Sequence, residues 1–293
     1  MIGFYIYRGI EFILMLLPHF MRTAFFKGLA WLAYTLSKKH RRIITQNIRF
    51  LFPDADDDFV DETARYCFKN LLLNFLQMME NSHLSIEELS KRITFDNPEI
   101  IKLAQEKGRP IVFATGHFGR WELAGIAISA LVKPTMIVYK QMKNDYFQEY
   151  LNESRGRFGI KSTEKHGALR PLMKQLKEGN SISLLVDTNL NERDGVLVDF
   201  FGHPTRTTTT TADLARKYNA LIIPGFIVTD DEENFILKFA DPIEVAQTDD
   251  IEADIKEATQ KQVTALENIM KEYPQLWFWC HKRFKTDYPE LYK

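Results

Sequence analysis

From about residue 93 the chain alternates short apolar runs with helical stretches, and this pattern limits the fold more than any other feature. The apolar runs are Arg92–Phe95, Pro110–Ala114, Thr135–Tyr139, Ser181–Val186, Leu221–Val228 and Asn234–Phe239. Helical spacing falls at Pro98–Glu106, Leu123–Leu131, Asp145–Phe158, Ala168–Glu178, Thr209–Tyr218 and Ile251–Glu272. Strands separated by helices pair in parallel, because each crossover carries the chain back to the same end of the sheet. The pattern predicts an α/β fold: a mixed, mostly parallel sheet flanked by helices. Gly179-Asn180 and Tyr218-Asn219 suit helix stops ahead of strands. The five threonines Thr207–Thr211 are expected to cap the helix that follows them.

The stretch Ile111–Ala124, IVFATGHFGRWELA, concentrates the chemistry. A buried strand ends at Thr115-Gly116, and His117, Gly119 and Glu122 follow on the turn into the next helix. In open α/β sheets the carboxyl ends of strands are where ligands bind. Five helical steps set two residues about 140° apart, so His117 and Glu122 meet only if the histidine lies in the turn and the acid on the first helical turn. A carboxylate bonded to one imidazole nitrogen fixes the tautomer and leaves the other nitrogen as a base. The alternative for this spacing is a structural histidine and an N-terminal helix glutamate. No serine or cysteine flanks His117, so the turn is not a serine-type nucleophile elbow.

The first 42 residues have a different character. They carry seven Lys/Arg against Glu11, a net +6, while the remaining 31 basic and 38 acidic residues net −7. A basic, aromatic N-terminus on an acidic body fits attraction to an anionic membrane surface. Residues 1–37 lack the charged n-region and small-residue cleavage site of a signal peptide. Their uncharged runs, Phe12–Met21 and Gly28–Ser37, fall short of the ~20 apolar residues a span needs, and Pro18 breaks the first. Two short amphipathic helices lying in the interface fit best. A tilted span with Arg8 at one end and a buried helical hairpin remain as alternatives. The expected organisation is membrane-association helices over 1–42 and a second domain over 43–293, with a helical lead-in at 43–91 and an α/β core at 92–293.

Cys67 and Cys280 lie far apart in the sequence, which indicates neither a disulfide framework nor a metal site. No Cys/His/carboxylate cluster has coordination spacing, so no metal is expected.

Gly116-His117-Phe118-Gly119-Arg120-Trp121-Glu122 resembles the signature block of the lipid A biosynthesis late acyltransferases, the lauroyl/myristoyl transferases of Gram-negative bacteria. Further stretches resemble the family in order: Arg42 to Pro53 with Asn47; Val138-Tyr139-Lys140 with Asn144, Arg155 and Arg157; Asp187 closing a strand; Phe200-Phe201-Gly202 before the threonines; and Trp279-Cys280-His281-Lys282-Arg283-Phe284-Lys285. The likeness runs from about residue 1 to residue 286. The chain departs from the usual pattern at Lys140 and Lys282, at Thr188-Asn189 and at Thr210-Thr211.

The resemblance implies a glycerolipid-acyltransferase-like fold and transfer of a fatty acyl chain from acyl–acyl carrier protein to a hydroxyl of a lipid A precursor, without a cofactor. His117 would act as general base, oriented by Glu122. Oxyanion donors would come from a backbone N–H of the Gly116–Gly119 turn, with Gly119 allowing close approach, or from Arg155 or Arg157. The acceptor's phosphates would meet Arg155, Arg157, Lys140 and Arg283, and less strongly Arg206. Lys282, Arg283 and Lys285 would greet the acidic carrier protein. Asp187 would hold one of the arginines, while His166, His203 and His281 are expected to be packing residues. The implied location is the cytoplasmic face of the inner membrane, in contact with its lipids, with no nucleic-acid partner. Competing readings are another glycolipid or aminolipid acceptor, and a lipid-binding protein without catalysis.

Overall fold

A computed structural model describes residues 2–293. Pro18, with no N–H to give and a fixed φ, separates α1 (Ile2–Met15) from α2 (His19–Leu36). Helix α3 (Lys38–Leu51) follows, so the boundary expected after residue 42 falls inside a helix, because Lys38–Arg42 continues the amphipathic turn of Ile43–Leu51. In α4 (Asp57–Asn81) Asp56 caps the first turn through the Phe59 amide at 2.8 Å, and Asp57 and Asp58 face the helix dipole. A Ser85–Glu88 capping box opens α5 (Ile86–Arg92). Leu73, Leu76 and Met79 of α4 pack on Leu14 and Phe26, which pins α1 and α2 to the body. The outer faces of α1 and α2 expose Ile2, Tyr5, Phe12, Ile13, Phe20, Trp31 and Leu36, and the turn between them exposes Leu16. Among the described residues no helix is long and apolar enough to cross a membrane; at about 1.5 Å per residue α1 covers only about 21 Å of a ~30 Å hydrocarbon core.

The α/β part runs β1 (Ile93–Asp96), α6 (Glu99–Glu106), β2 (Ile111–Thr115), α7 (Trp121–Ala127), β3 (Thr135–Tyr139), α8 (Asp145–Gly156), β4 (Lys161–Glu164), α9 (Leu169–Lys177), β5 (Ser181–Leu185), β6 (Val196–Phe200), β7 (His203–Thr207), α10 (Thr210–Tyr218), β8 (Leu221–Val228), β9 (Phe235–Phe239) and α11 (Ile251–Glu272). Seven strands form one sheet in the order β1-β9-β8-β2-β5-β3-β4; only the β8–β9 pair is antiparallel. The expected mixed, mostly parallel sheet is therefore observed. Strand residues alternate between two cores. Val112, Ala114, Ile182 and Leu184 face the side that holds residues of α9, α10 and α11, while Ile111, Phe113 and Ile223 face residues of α6 and α7.

Three strands escape the apolar pattern. Lys161–Glu164 is an edge strand of polar residues, and β6–β7 is a separate antiparallel hairpin turned at Phe201-Gly202. The threonine run caps α10 only in part, Thr208 Oγ1 accepting from the Thr210 amide at 3.3 Å. It spans the end of β7 and the first turn of the helix, and Thr209 offers no side-chain cap. Asn219, left-handed at φ 49°, ends α10 as its sequence suggested.

Candidate active site

The parallel register of β2 and β5 assembles the site. Thr115 stands opposite Leu185, so two residues further on His117 stands opposite Asp187 at the carboxyl edge. The His117 Nδ1 lies 2.9 Å from Asp187 Oδ1, and the His117 amide donates to Asp187 Oδ2 at 2.8 Å. The Trp277 indole N–H is the third donor to the carboxylate, reaching Oδ2 at 3.0 Å. A Cβ on Gly116 would come within 3.1 Å of the same oxygen, so the glycine admits the carboxylate.

Burial alone would raise the Asp187 pKa. The facing imidazolium and the three N–H donors outweigh it and hold the carboxyl well below its usual range. Burial likewise depresses His117, but the charge and hydrogen bond of Asp187, and then the charge of Glu122, more than offset it, so the imidazole titrates above its ordinary value. An ionised Asp187 makes Nδ1 the donor, which leaves Nε2 as the free base on a side chain that is 24% exposed.

Glu122 is not the hydrogen-bond partner of His117. Helix α7 starts at Trp121, and Glu122 on its first turn binds Arg155 in a fork, Nη2–Oε1 at 2.6 Å and Nε–Oε2 at 3.1 Å. The register of the strands brings Asp187 to the histidine, while the angular offset along the chain turns Glu122 away. Asp187 accordingly holds a histidine, not an arginine as expected.

Residues 1–286 match the family described as bacterial lipid A biosynthesis acyltransferase. The chain belongs to this family. It is 22% identical over 252 residues to lipid A biosynthesis acyltransferase 2 of Shigella flexneri, covering 86% of this chain and 79% of that one. It is 26% identical over 269 residues to the lipid A biosynthesis lauroyltransferase of Escherichia coli, covering 88% and 83%. It is 31% identical over 125 residues to the phosphatidylinositol mannoside acyltransferase of Mycolicibacterium smegmatis, covering 41% of each. The chain is thus an acyltransferase.

In this acyltransferase several expected site residues are structural. Gly119 (φ 55°) sits where a Cβ would lie 2.2 Å from the Ile227 carbonyl oxygen. Its amide donates to Leu276 O at 2.9 Å, and its carbonyl accepts from Asn70 and Asn74. The Phe118 amide is bonded to Gly116 O. With the His117 amide on Asp187, the amides of residues 117–119 are all engaged, so none of the three is a free oxyanion donor. Arg120 is buried, with its guanidinium on the Asn70 carbonyl and side-chain oxygen, and burial pushes its pKa down to about 10. Arg157 is drawn to the Ser82 and Leu84 carbonyls. Arg283, buried and likewise pushed down to about 10 by burial, clamps Thr188 O, Arg206 O and Thr207 Oγ1, and so braces the residue next to Asp187. Arg206 pairs with Asp287. Lys140 is exposed just past β3, two strands from β2 at the same edge of the sheet.

The C-terminal segment supplies what sequence reasoning missed. Phe118 and Trp277 form an antiparallel bridge, and the Phe278 amide donates to His117 O at 2.9 Å. Trp121 and Phe278 flank the His117 ring at centroid distances of 5.5 and 6.1 Å, and His281 lies beside it at 6.3 Å. The closing tryptophan–histidine stretch was the signal available for this segment, but nothing in it named a contact to residue 117. Cys280 lies 3.8 Å, sulfur to sulfur, from Cys67 of α4, and both are free thiols. Among the described residues no group of three or more His, Cys, Asp or Glu is placed to hold a metal ion.

Proposed function

We propose that this acyltransferase moves a fatty acyl chain from acyl–acyl carrier protein to a hydroxyl of a lipid A precursor. The single observation that carries the mechanism is the His117–Asp187 pair, with Nε2 left open at the carboxyl edge of the sheet. The hydroxyl proton passes to Nε2 as the oxygen attacks the thioester carbonyl carbon. The C–S bond then breaks, and the proton returns to the departing thiolate. Asp187 stabilises the imidazolium in between, and base catalysis of this kind is typically worth about 10²–10⁴-fold. Arg155, neutralised by Glu122 through Nε and Nη2, keeps Nη1 for an acceptor phosphate, and Lys140 adds a point charge. Burial of Arg283 leaves Lys282 and Lys285 to meet the acidic carrier protein.

The exposed apolar faces of α1 and α2, next to exposed Lys38, Lys39 and Arg42, support association with the cytoplasmic face of the inner membrane by helices lying in its plane. A second reading, another glycolipid acceptor, is favoured by the likeness to the mannoside acyltransferase over 125 residues. Mass spectrometry of lipid A from cells with and without the protein separates the two. Loss of one acyl chain without the protein is expected, and an unchanged acyl count would rule out the lipid A version.

A further inference from the structure

As the hydroxyl attacks, the acyl carbonyl oxygen becomes negative and needs donors, yet the amides of residues 117–119 are engaged elsewhere. His281 lies across from His117, with ring centroids 6.3 Å apart and planes within 30°. Its Nε2 is 3.0 Å from the backbone nitrogen of Asn189. A backbone amide only donates, so Nε2 is the acceptor and the neutral ring carries its proton on Nδ1. Nδ1 has no hydrogen-bond partner among the described residues, and it is not one of the polar atoms shut off from solvent. The residue is held from behind, its own amide on Phe278 O at 3.2 Å and its carbonyl accepting from Asn47 at 2.9 Å. Burial lowers the His281 pKa; Asp187 pulls the other way, and His117 and Arg283 add to the lowering, which keeps the ring neutral.

We propose that His281 is a second catalytic residue, whose Nδ1–H donates to the acyl carbonyl oxygen as that oxygen takes up negative charge. Hydrogen bonds of about 2.7–3.0 Å from each ring to the two oxygens of one tetrahedral carbon bridge a separation of this size. A neutral imidazole with Nε2 engaged does not compete for the hydroxyl proton. That proton goes to His117 Nε2, the C–O bond forms, the C–S bond breaks, and His117 returns the proton to the thiolate, while His281 keeps its own. The assignment rests on the reading of His117 as the base.

Two substitutions separate the roles of the two nitrogens. His281→Asn offers an N–H near the Nδ1 position but does not reach the Asn189 amide. His281→Gln reaches that amide with its carbonyl and puts no donor near Nδ1. In acyl transfer by the full-length enzyme, His281→Gln is expected to lower kcat by roughly 10²–10³-fold with little change in KM, and His281→Asn to keep more of the rate. A Gln variant as fast as the Asn variant, or faster, overturns the proposal, because the ring then serves only to hold Asn189. Nitrogen-15 NMR of the wild-type enzyme reads the tautomer directly. A neutral Nδ1–H ring is expected at neutral pH, and an Nε2–H ring or a cation overturns it. His117→Ala, assayed alongside, keeps the two readings apart. Activity surviving there removes the base assignment, whereas an inactive His117→Ala with the Gln variant at or above Asn removes only His281.

Discussion

The two carboxylates near His117 are used in opposite ways. Asp187, at the end of β5, is buried, accepts three N–H bonds and leaves one imidazole nitrogen open. Glu122, on the first turn of α7, has both oxygens taken by Arg155 and reaches His117 only through its charge. One pair is built to pass a proton and the other to hold a cation in place. The difference comes from topology: neighbouring parallel strands deliver equivalent residues to the same edge, whereas residues along one turn and helix diverge by about 100° per step.

The strongest way to break this contrast is His117→Ala, expected to cut kcat by roughly 10²–10⁴-fold. Asp187→Asn should approach that loss, because an amide at this position no longer holds Nδ1–H and the ring is free to take the wrong tautomer. The same change should move the acid limb of the rate profile. The base form of His117 is lost as pH falls through its raised pKa, so removing the main cause of the raising shifts that limb to lower pH. A limb that stays in place after Asp187→Asn would point to another titrating group. Next in size is Gly119→Ala, where a Cβ meets a backbone carbonyl at 2.2 Å and φ is positive. Denaturant unfolding should show about 2–4 kcal/mol lost. Glu122→Gln strands the partly buried Arg155 and is expected to cost about 1–3 kcal/mol, read as a lowered Tm; an unchanged Tm would mean the ion pair is dispensable. The smallest effect belongs to the outer helices. Trp31→Ala with Leu36→Ala should weaken binding to anionic vesicles several-fold and leave soluble-substrate turnover alone.

Much of this architecture was legible in the residues. Pro18 marked the break between α1 and α2, the apolar runs marked the parallel strands, and His117 stood out on its strand-to-helix turn. Lys161–Glu164 was illegible because an edge strand of polar residues carries no apolar pattern. The partner of His117 was illegible because Asp187 lies 70 residues away, and only strand order and register show that β2 and β5 are neighbours. The roles of Arg157 and Arg283 were misread because composition shows a charge and not what buries it. Both guanidiniums are taken up by backbone carbonyls.

The most direct measurement is the NMR pH titration of the His117 imidazole in the wild type, Asp187→Asn and Glu122→Gln. Asp187 acts on the ring through both a hydrogen bond and its charge, and Glu122 through charge alone. The pKa should therefore fall further in Asp187→Asn than in Glu122→Gln. An equal or larger fall in Glu122→Gln would contradict the assignment of Asp187 as the residue that holds the base.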